Sequence, residues 1–341
     1  MTSLTTAAGR PNPALPYRFH RLAHTSLRYR WWRPLAGFVT VLSGALLVLS
    51  IPVAVIDRVP DLPGLGPLTP LALDLAQISL ILPIVLVVTR WIGARPAGTV
   101  LSVTGWLRWP RLLLYLALAL PITIGTFIAG IVLTVATRQP TTPATSTSGS
   151  EVESAVPHIH LELLGQILVG LVVIGALAIL QSATEETMAR GAILQAVGAY
   201  SRNPWPAIAV PALLFTVLHG PGTVGGYTDL IGYSMLIGWL TVATGGLEAA
   251  IAVHAVNNLL PAGSAVIATL LFRVDLDQVD NSRAGASWHM AVVHLLGTAV
   301  YTLAVWLINS ALDRQYRRPP HLTLPAPGGT TLTPPTTITP A

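Results

Sequence analysis

The sequence contains no cysteine and no lysine, and charged residues make up only 10% of it. Without cysteine there can be no disulfides and no thiolate metal sites. A charge content this low, against roughly a quarter in soluble domains, excludes an ordinary soluble globular domain. Hydrocarbon takes its place: 52% of the 341 residues are hydrophobic and the mean hydropathy is +0.65. The reading is an integral membrane protein. Its nineteen cations are all arginine, and with abundant Ala, Gly, Pro and Val they match the composition of a GC-rich, bacterial genome. The net charge of +5 does not mark a nucleic-acid binder, because the arginines flank apolar segments and form no basic domain.

Apolar segments of membrane-spanning length recur near 36–56, 71–92, 112–136, 161–183, 204–219, 228–245, 248–272 and 288–311. The expected fold is therefore all-α and polytopic, with about eight transmembrane helices. Residues 1–34 hold six arginines followed by Trp31 and Trp32, and read as an uncleaved cytoplasmic tail with interfacial anchors. With that end inside, fourteen arginines fall in cytoplasmic segments and four (Arg58, Arg138, Arg273, Arg283) outside, leaving Arg190 buried. This asymmetry follows the positive-inside rule. Both termini are then cytoplasmic, in a multi-pass protein of the plasma membrane. The expected divisions are a basic tail (1–34), three helices (35–137), a Pro/Thr/Ser-rich external loop (138–157), a core (158–318) and a Pro/Thr-rich disordered tail (319–341). No internal repeat is visible, which weighs against a transporter built from inverted repeats.

Three polar clusters interrupt the hydrocarbon. In Glu185-Glu186-Thr187-Met188-Ala189-Arg190, Glu186 and Arg190 share a helix face and can pair. Glu185 lies about a hundred degrees round the helix and is expected to lack that partner, a candidate general base. The same residues read equally well as an interfacial Glu–Arg cluster at a helix end. Phe215 and His219 stand one turn apart at the end of the fifth segment, where a histidine is more often a hydrogen-bonded helix end than a catalyst. His254 and Asn258 share a face of an alanine-rich helix, which suits either chemistry or an interhelical hydrogen bond. A tight turn at 201–203 puts Glu185 and His219 level, each roughly 22 Å from it at 1.5 Å per residue. His254 lies only about 15 Å beyond Thr244, so it joins them only if the Gly245-Gly246 turn is recessed.

EExxxR, FxxxH and HxxxN, in this order on three membrane helices, resemble the CPBP (CAAX protease and bacteriocin-processing, Abi) family, which includes the type II CAAX prenyl endopeptidases. Gly191 after the arginine and Asn257-Asn258-Leu259-Leu260 extend the likeness, which covers about 160–262 with weaker similarity at 97–112. Thr187-Met188-Ala189 is smaller than the trio often found there. The resemblance implies hydrolysis of a peptide bond in a membrane-associated protein or peptide. Glu185 with His219 would activate water, His254 and Asn258 would stabilise the oxyanion, and Glu186–Arg190 would hold the helix in place. The family is also described as metalloproteases, so Glu185, His219 and His254 could hold Zn2+; a Glu/His-activated water with no metal is the other expectation. Two rival classes stand beside the enzyme. One is a non-catalytic membrane protein for bacteriocin immunity or scaffolding, and the other a proton-coupled transporter built on the same intramembrane carboxylates. The remaining histidines (His20, His24, His158, His160, His289, His294, His321) read as solvated or helix-end residues. Oligomeric state is left open by the absence of a clear GxxxG face.

Overall fold

The computed structural model describes residues 18–50, 60–137, 164–272 and 286–317; the expected loop at 138–157 and tail at 319–341 lie outside these. Helices form at all eight apolar segments: α1 (Trp32–Leu49), the pair α2 (Thr69–Ser79) and α3 (Ile81–Trp91), and α4 (Trp109–Thr137). They continue as α5 (Leu164–Glu186), a π-helical stretch (Thr187–Ile193) running into α6 (Leu194–Gly198), and α7 (Pro204–Leu218). The last three are α8 (Val224–Thr244), α9 (Glu248–Phe272) and α10 (Trp288–Arg317).

Among the described residues six spans are long and apolar enough to cross a membrane, two fewer than the eight expected. α7 is only 15 residues long. α8, at 21 residues, has the length, but Asp229 and its tyrosines, serine, threonines and glycines dilute its hydropathy. Both are held by protein contacts instead: α7 packs on α8, and α8 on α10. α4, α5 and α10 turn leucines, isoleucines and valines outward, among them Ile128, Val132, Leu168, Val172, Leu296 and Val300. Such a surface needs hydrocarbon around it. The chain is a multi-pass membrane protein.

Local signals set the helix ends. Asn203 caps α7 by accepting from Trp205 N at 3.1 Å, with Pro204 at the first position. Thr223 caps α8 through Gly226 N at 2.9 Å, and Gly245 closes α8 in the left-handed conformation (φ 71°). α9 is the central helix, packed on α4, α5 and α8. Ala249, Ala250, Ala252 and Ala255 are all buried on it and let its neighbours come close.

The described end of the basic tail is not a solvated arm. Phe19–Thr25 forms a 3-10 turn whose Phe19, His20 and Leu22 are buried beside Leu194, Ala207 and Ile208. His24 Nε2 bonds Ala199 O at 2.9 Å and Ser26 Oγ donates to Ala94 O at 2.8 Å. Residues 19–26 are thus stitched across the 94 and 199 turns.

Candidate active site

α5, α7, α8 and α9 bring the three polar clusters together. Glu186 is fully buried, and its Oε1 accepts from Arg190 Nη1 at 2.9 Å and from His254 Nδ1 at 2.7 Å. Arg190, 1% exposed, donates Nη2 to Ser234 Oγ at 2.9 Å, and its guanidinium lies 4.7 Å from the Phe215 ring and 5.9 Å from Tyr233. Both of its terminal nitrogens are hydrogen-bonded and two aromatic rings lie beside it, the surroundings of a cation held in place by the fold.

Glu185 behaves differently. Its side chain retains 14% exposure against 0% for Glu186, and its Oε2 stands 3.5 Å from His254 Nε2. Arg190 pairs with Glu186, and Glu185 faces His254. The cause is the recessed turn on which that depth depended. Residues 97–108 fold under Gly245-Gly246, with Leu247 N donating to Leu101 O at 2.8 Å and Val103 N to Gly245 O at 2.9 Å. Arg108 then grips the buried Glu248 through Nε at 2.8 Å and Nη2 at 2.6 Å, and reaches Thr244 O at 3.2 Å. Pulled in this way, α9 presents His254 at the level of the two glutamates.

His219 ends α7, exposed, with Nδ1 donating to Phe215 O at 2.7 Å. That carbonyl can only accept, so Nδ1 carries the proton and Nε2 is the lone-pair nitrogen of the neutral ring. Its ring stacks on Phe215 at 4.4 Å, and Phe215 meets His254 edge-on at 6.2 Å. Asn258, one turn beyond His254, spends its Nδ2 hydrogens on Gln181 Oε1 (2.8 Å) and Ser182 Oγ (3.1 Å) of α5. Among the described residues no three His, Asp or Glu side chains form a group able to hold a metal ion. Glu185, His219 and His254 therefore do not fit a zinc centre in this arrangement.

The π-helical stretch begins immediately after Glu186. A change from i→i+4 to i→i+5 bonding alters which residues share a face, and such segments gather at functional sites. Gly191 within it lets residues 97–100 approach: a Cβ there would lie 2.8 Å from Val100 O. A second polar group, missed in the sequence, stands behind the first. His294 Nδ1 bonds Asp229 Oδ1 at 2.6 Å, Asn257 Nδ2 lies 3.4 Å from His294 Nε2, and the Tyr233 ring is 5.4 Å from His294 and 6.1 Å from His254. The reading of His294 as a helix-end residue is corrected to a partner of a buried aspartate. Asp229 in the weakly apolar α8 was the only sequence signal for it.

Residues 166–260 match the family model described as Type II CAAX prenyl endopeptidase Rce1-like. Over this segment the chain is similar to the CAAX-type proteases. The match runs from α5 into α9 and contains all three clusters, but neither the turn at 19–25 nor the 97–108 segment that recesses α9. No curated protein and no solved structure matches the chain.

Proposed function

We propose that the chain is an intramembrane endopeptidase that hydrolyses a peptide bond in a membrane-associated protein or peptide, in CAAX-type or bacteriocin-type processing. One observation carries this reading. A partly open carboxylate, Glu185, faces the Nε2 of a histidine whose Nδ1 is held by a sealed carboxylate, Glu186. A carboxylate on one imidazole nitrogen fixes tautomer and orientation and supports positive charge on the ring.

A water lying against Glu185 and His254 Nε2 gives its proton to Glu185 as its oxygen attacks the scissile carbonyl carbon. His254, protonated on Nε2, supplies positive charge to the developing oxyanion, with Glu186 compensating from behind. As the C–N bond breaks, Glu185 returns its proton to the leaving nitrogen, giving a carboxylic acid and an amine; the acid's remaining proton then passes to the amine, leaving a carboxylate and an ammonium group. Asn258 joins the oxyanion site when an amide hydrogen turns away from Gln181 or Ser182. His219, exposed at the mouth, meets the substrate first. No step runs through a metal. Zinc would enter only if Glu185, His219 and His254 closed together, so full activity of metal-free protein after chelation would set it aside.

The arginines of 18–33, 90–111 and 202 lie on segments that gather at one end of the bundle. By the positive-inside rule this supports cytoplasmic termini, while the all-arginine, Ala/Gly/Pro/Val-rich composition supports a bacterial plasma membrane. The test of the activity is cleavage of a panel of membrane-associated peptides, prenylated and unprenylated, by wild type, Glu185→Gln and His254→Ala. Equal turnover by all three would sink the assignment. The Asn258 clamp to α5 and the buried Glu186–Arg190 lattice favour a second reading, a non-catalytic immunity or scaffolding protein. Protection or partner binding that survives Glu185→Ala selects it.

A further inference from the structure

Away from the candidate active site, a cleft lies between the start of α1, the end of α3 and the α6 region. Its lining is mixed: Arg33, Arg95, Tyr29 and Thr89 share it with Phe38, Val41, Val88, Pro34 and alanines. Arg95 is 7% exposed. Its Nη1 donates to Thr99 Oγ1 at 2.9 Å and to Gln195 Oε1 at 2.5 Å, and Gln195 is locked in turn by donating to Thr99 O at 2.9 Å. Both acceptors are neutral, and among the described residues no carboxylate pairs with Arg95 or with Arg33. Burial pushes the Arg95 guanidinium down to about 10, so it remains charged at neutral pH. Arg33 donates Nη1 to Ile92 O at 2.8 Å and lies 5.3 Å from the Trp32 ring, while its buried Nε meets no acceptor among the described residues.

Two guanidiniums lining one cavity without an acid are costly, because a buried charge needs a partner. The rest of the cavity wall says what kind of partner it is. A free inorganic anion would satisfy the arginines and leave Phe38, Val41 and Val88 without an apolar partner, whereas an anion carried on hydrocarbon would satisfy both. Exposed Trp31, Trp32, Leu35 and Val39 stand at the start of α1 beside the cavity, and tryptophans mark the headgroup depth of a bilayer. Arginine is the cation suited to phosphate oxygens.

We propose that this cavity binds the phosphate group of an anionic phospholipid, with Arg33 and Arg95 on the headgroup and Phe38, Val41 and Val88 against the start of its acyl chain. The site is independent of the hydrolytic reading. It ties the 28–33 segment, the 93–95 turn and the helix following the active-site glutamates to one lipid, so occupancy stiffens the end of the bundle remote from Glu185.

The experiment uses the full chain, purified in a mild detergent and stripped of lipid. Thermal unfolding and native mass spectrometry follow titration with phosphatidylglycerol, phosphatidylcholine or inorganic phosphate. For wild type, phosphatidylglycerol is retained and raises Tm at about tenfold lower concentration than phosphatidylcholine, and inorganic phosphate gives no comparable shift. Arg33→Gln and Arg95→Gln each weaken phosphatidylglycerol binding by about tenfold, the order expected for losing one charge-assisted contact. Arg33 is half-exposed, so its variant keeps the test valid if the Arg95 variant does not fold. Phe38→Trp keeps both charges, takes up space beside the apolar lining and lowers lipid retention. Equal phosphatidylglycerol affinity in wild type and Arg33→Gln overturns the site. An inorganic phosphate shift as large as the lipid's, unaffected by Phe38→Trp, overturns the lipid in favour of a soluble anion.

Discussion

A single oxygen, Glu186 Oε1, accepts hydrogen bonds from both Arg190 Nη1 (2.9 Å) and His254 Nδ1 (2.7 Å). The two adjacent glutamates therefore divide the work. Glu186 is committed on the buried side, and Glu185 keeps the only carboxylate of the pair that solvent or substrate can reach. Glu185→Gln is expected to abolish peptide hydrolysis while leaving thermal unfolding close to wild type, since its side chain is partly open. Glu186→Gln is expected to lower kcat by at least about a hundredfold, as happens when a carboxylate behind a catalytic imidazole is neutralised. It should lower Tm as well, because Arg190 loses its counter-charge. Cleavage assays beside calorimetry separate the two. Similar unfolding of both variants would contradict the division.

The same lattice predicts an uncoupling of stability from activity. Removing one member of a buried ion pair costs about 3–5 kcal/mol, whereas replacing both with apolar residues of similar volume is often neutral. Arg190→Met alone should be strongly destabilised, and Glu186→Leu/Arg190→Met together should recover most of that loss. The double variant should stay inactive, because His254 Nδ1 no longer meets a carboxylate. Denaturant unfolding read beside peptide cleavage checks both parts. An active double variant would remove Glu186 from the mechanism.

Which parts of this arrangement were readable in the residues follows from the range of the interactions. The i,i+4 pairing of Glu186 with Arg190 and the His254/Asn258 face are local, and the helical repeat alone exposes them. The helices at all eight apolar segments follow from hydrocarbon runs, though α8 reaches its place through contacts, being too polar to be counted among the spans. Other features depend on packing at long separation. Glu185 faces His254, a pairing that local spacing does not show, because residues 97–108 recess a turn some 140 positions further along the chain. The π-helical stretch and the Asp229–His294 pair were equally hidden, one because it is a backbone adjustment and the other because its members lie 65 residues apart.

That recessed turn makes Arg108 a long-range determinant of the site. Arg108 makes three bonds to Glu248, including one from its own backbone N at 2.9 Å, and Glu248 is fully buried at the first turn of α9. Arg108→Ala leaves that carboxylate without its cation, a loss of the order of 3–5 kcal/mol for a buried partner. It also frees the 245–248 turn to rise and carries His254 out of level with Glu185. Expected outcomes are reduced cleavage and faster amide exchange at Leu247, whose N–H donates to Leu101 O. Unchanged exchange at Leu247 would show that Arg108 does not hold the turn.

At the same end of the bundle, His20 gives the fold a pH dependence. The ring is 1% exposed and its Nε2 lies 3.4 Å from Arg202 O, so Nε2–H donates and the neutral tautomer is fixed. Nδ1 is buried and meets no acceptor among the described residues. Burial holds the His20 pKa below the ordinary 6.5; the Arg202 carbonyl opposes that, and the Arg18 and Arg21 charges reinforce it. The undocked 19–25 turn therefore binds a proton more readily than the docked one. Docking is at full strength above 6.5 and is lost as pH falls below 6.5 toward and past the depressed value. His20→Gln retains an N–H for Arg202 O but cannot titrate. Amide exchange in residues 19–25, compared between wild type and this variant from about pH 7.5 to about pH 5.5, should diverge only toward the acid end. Parallel curves across that range would show that His20 stays neutral, or that its protonation is accommodated without releasing the turn.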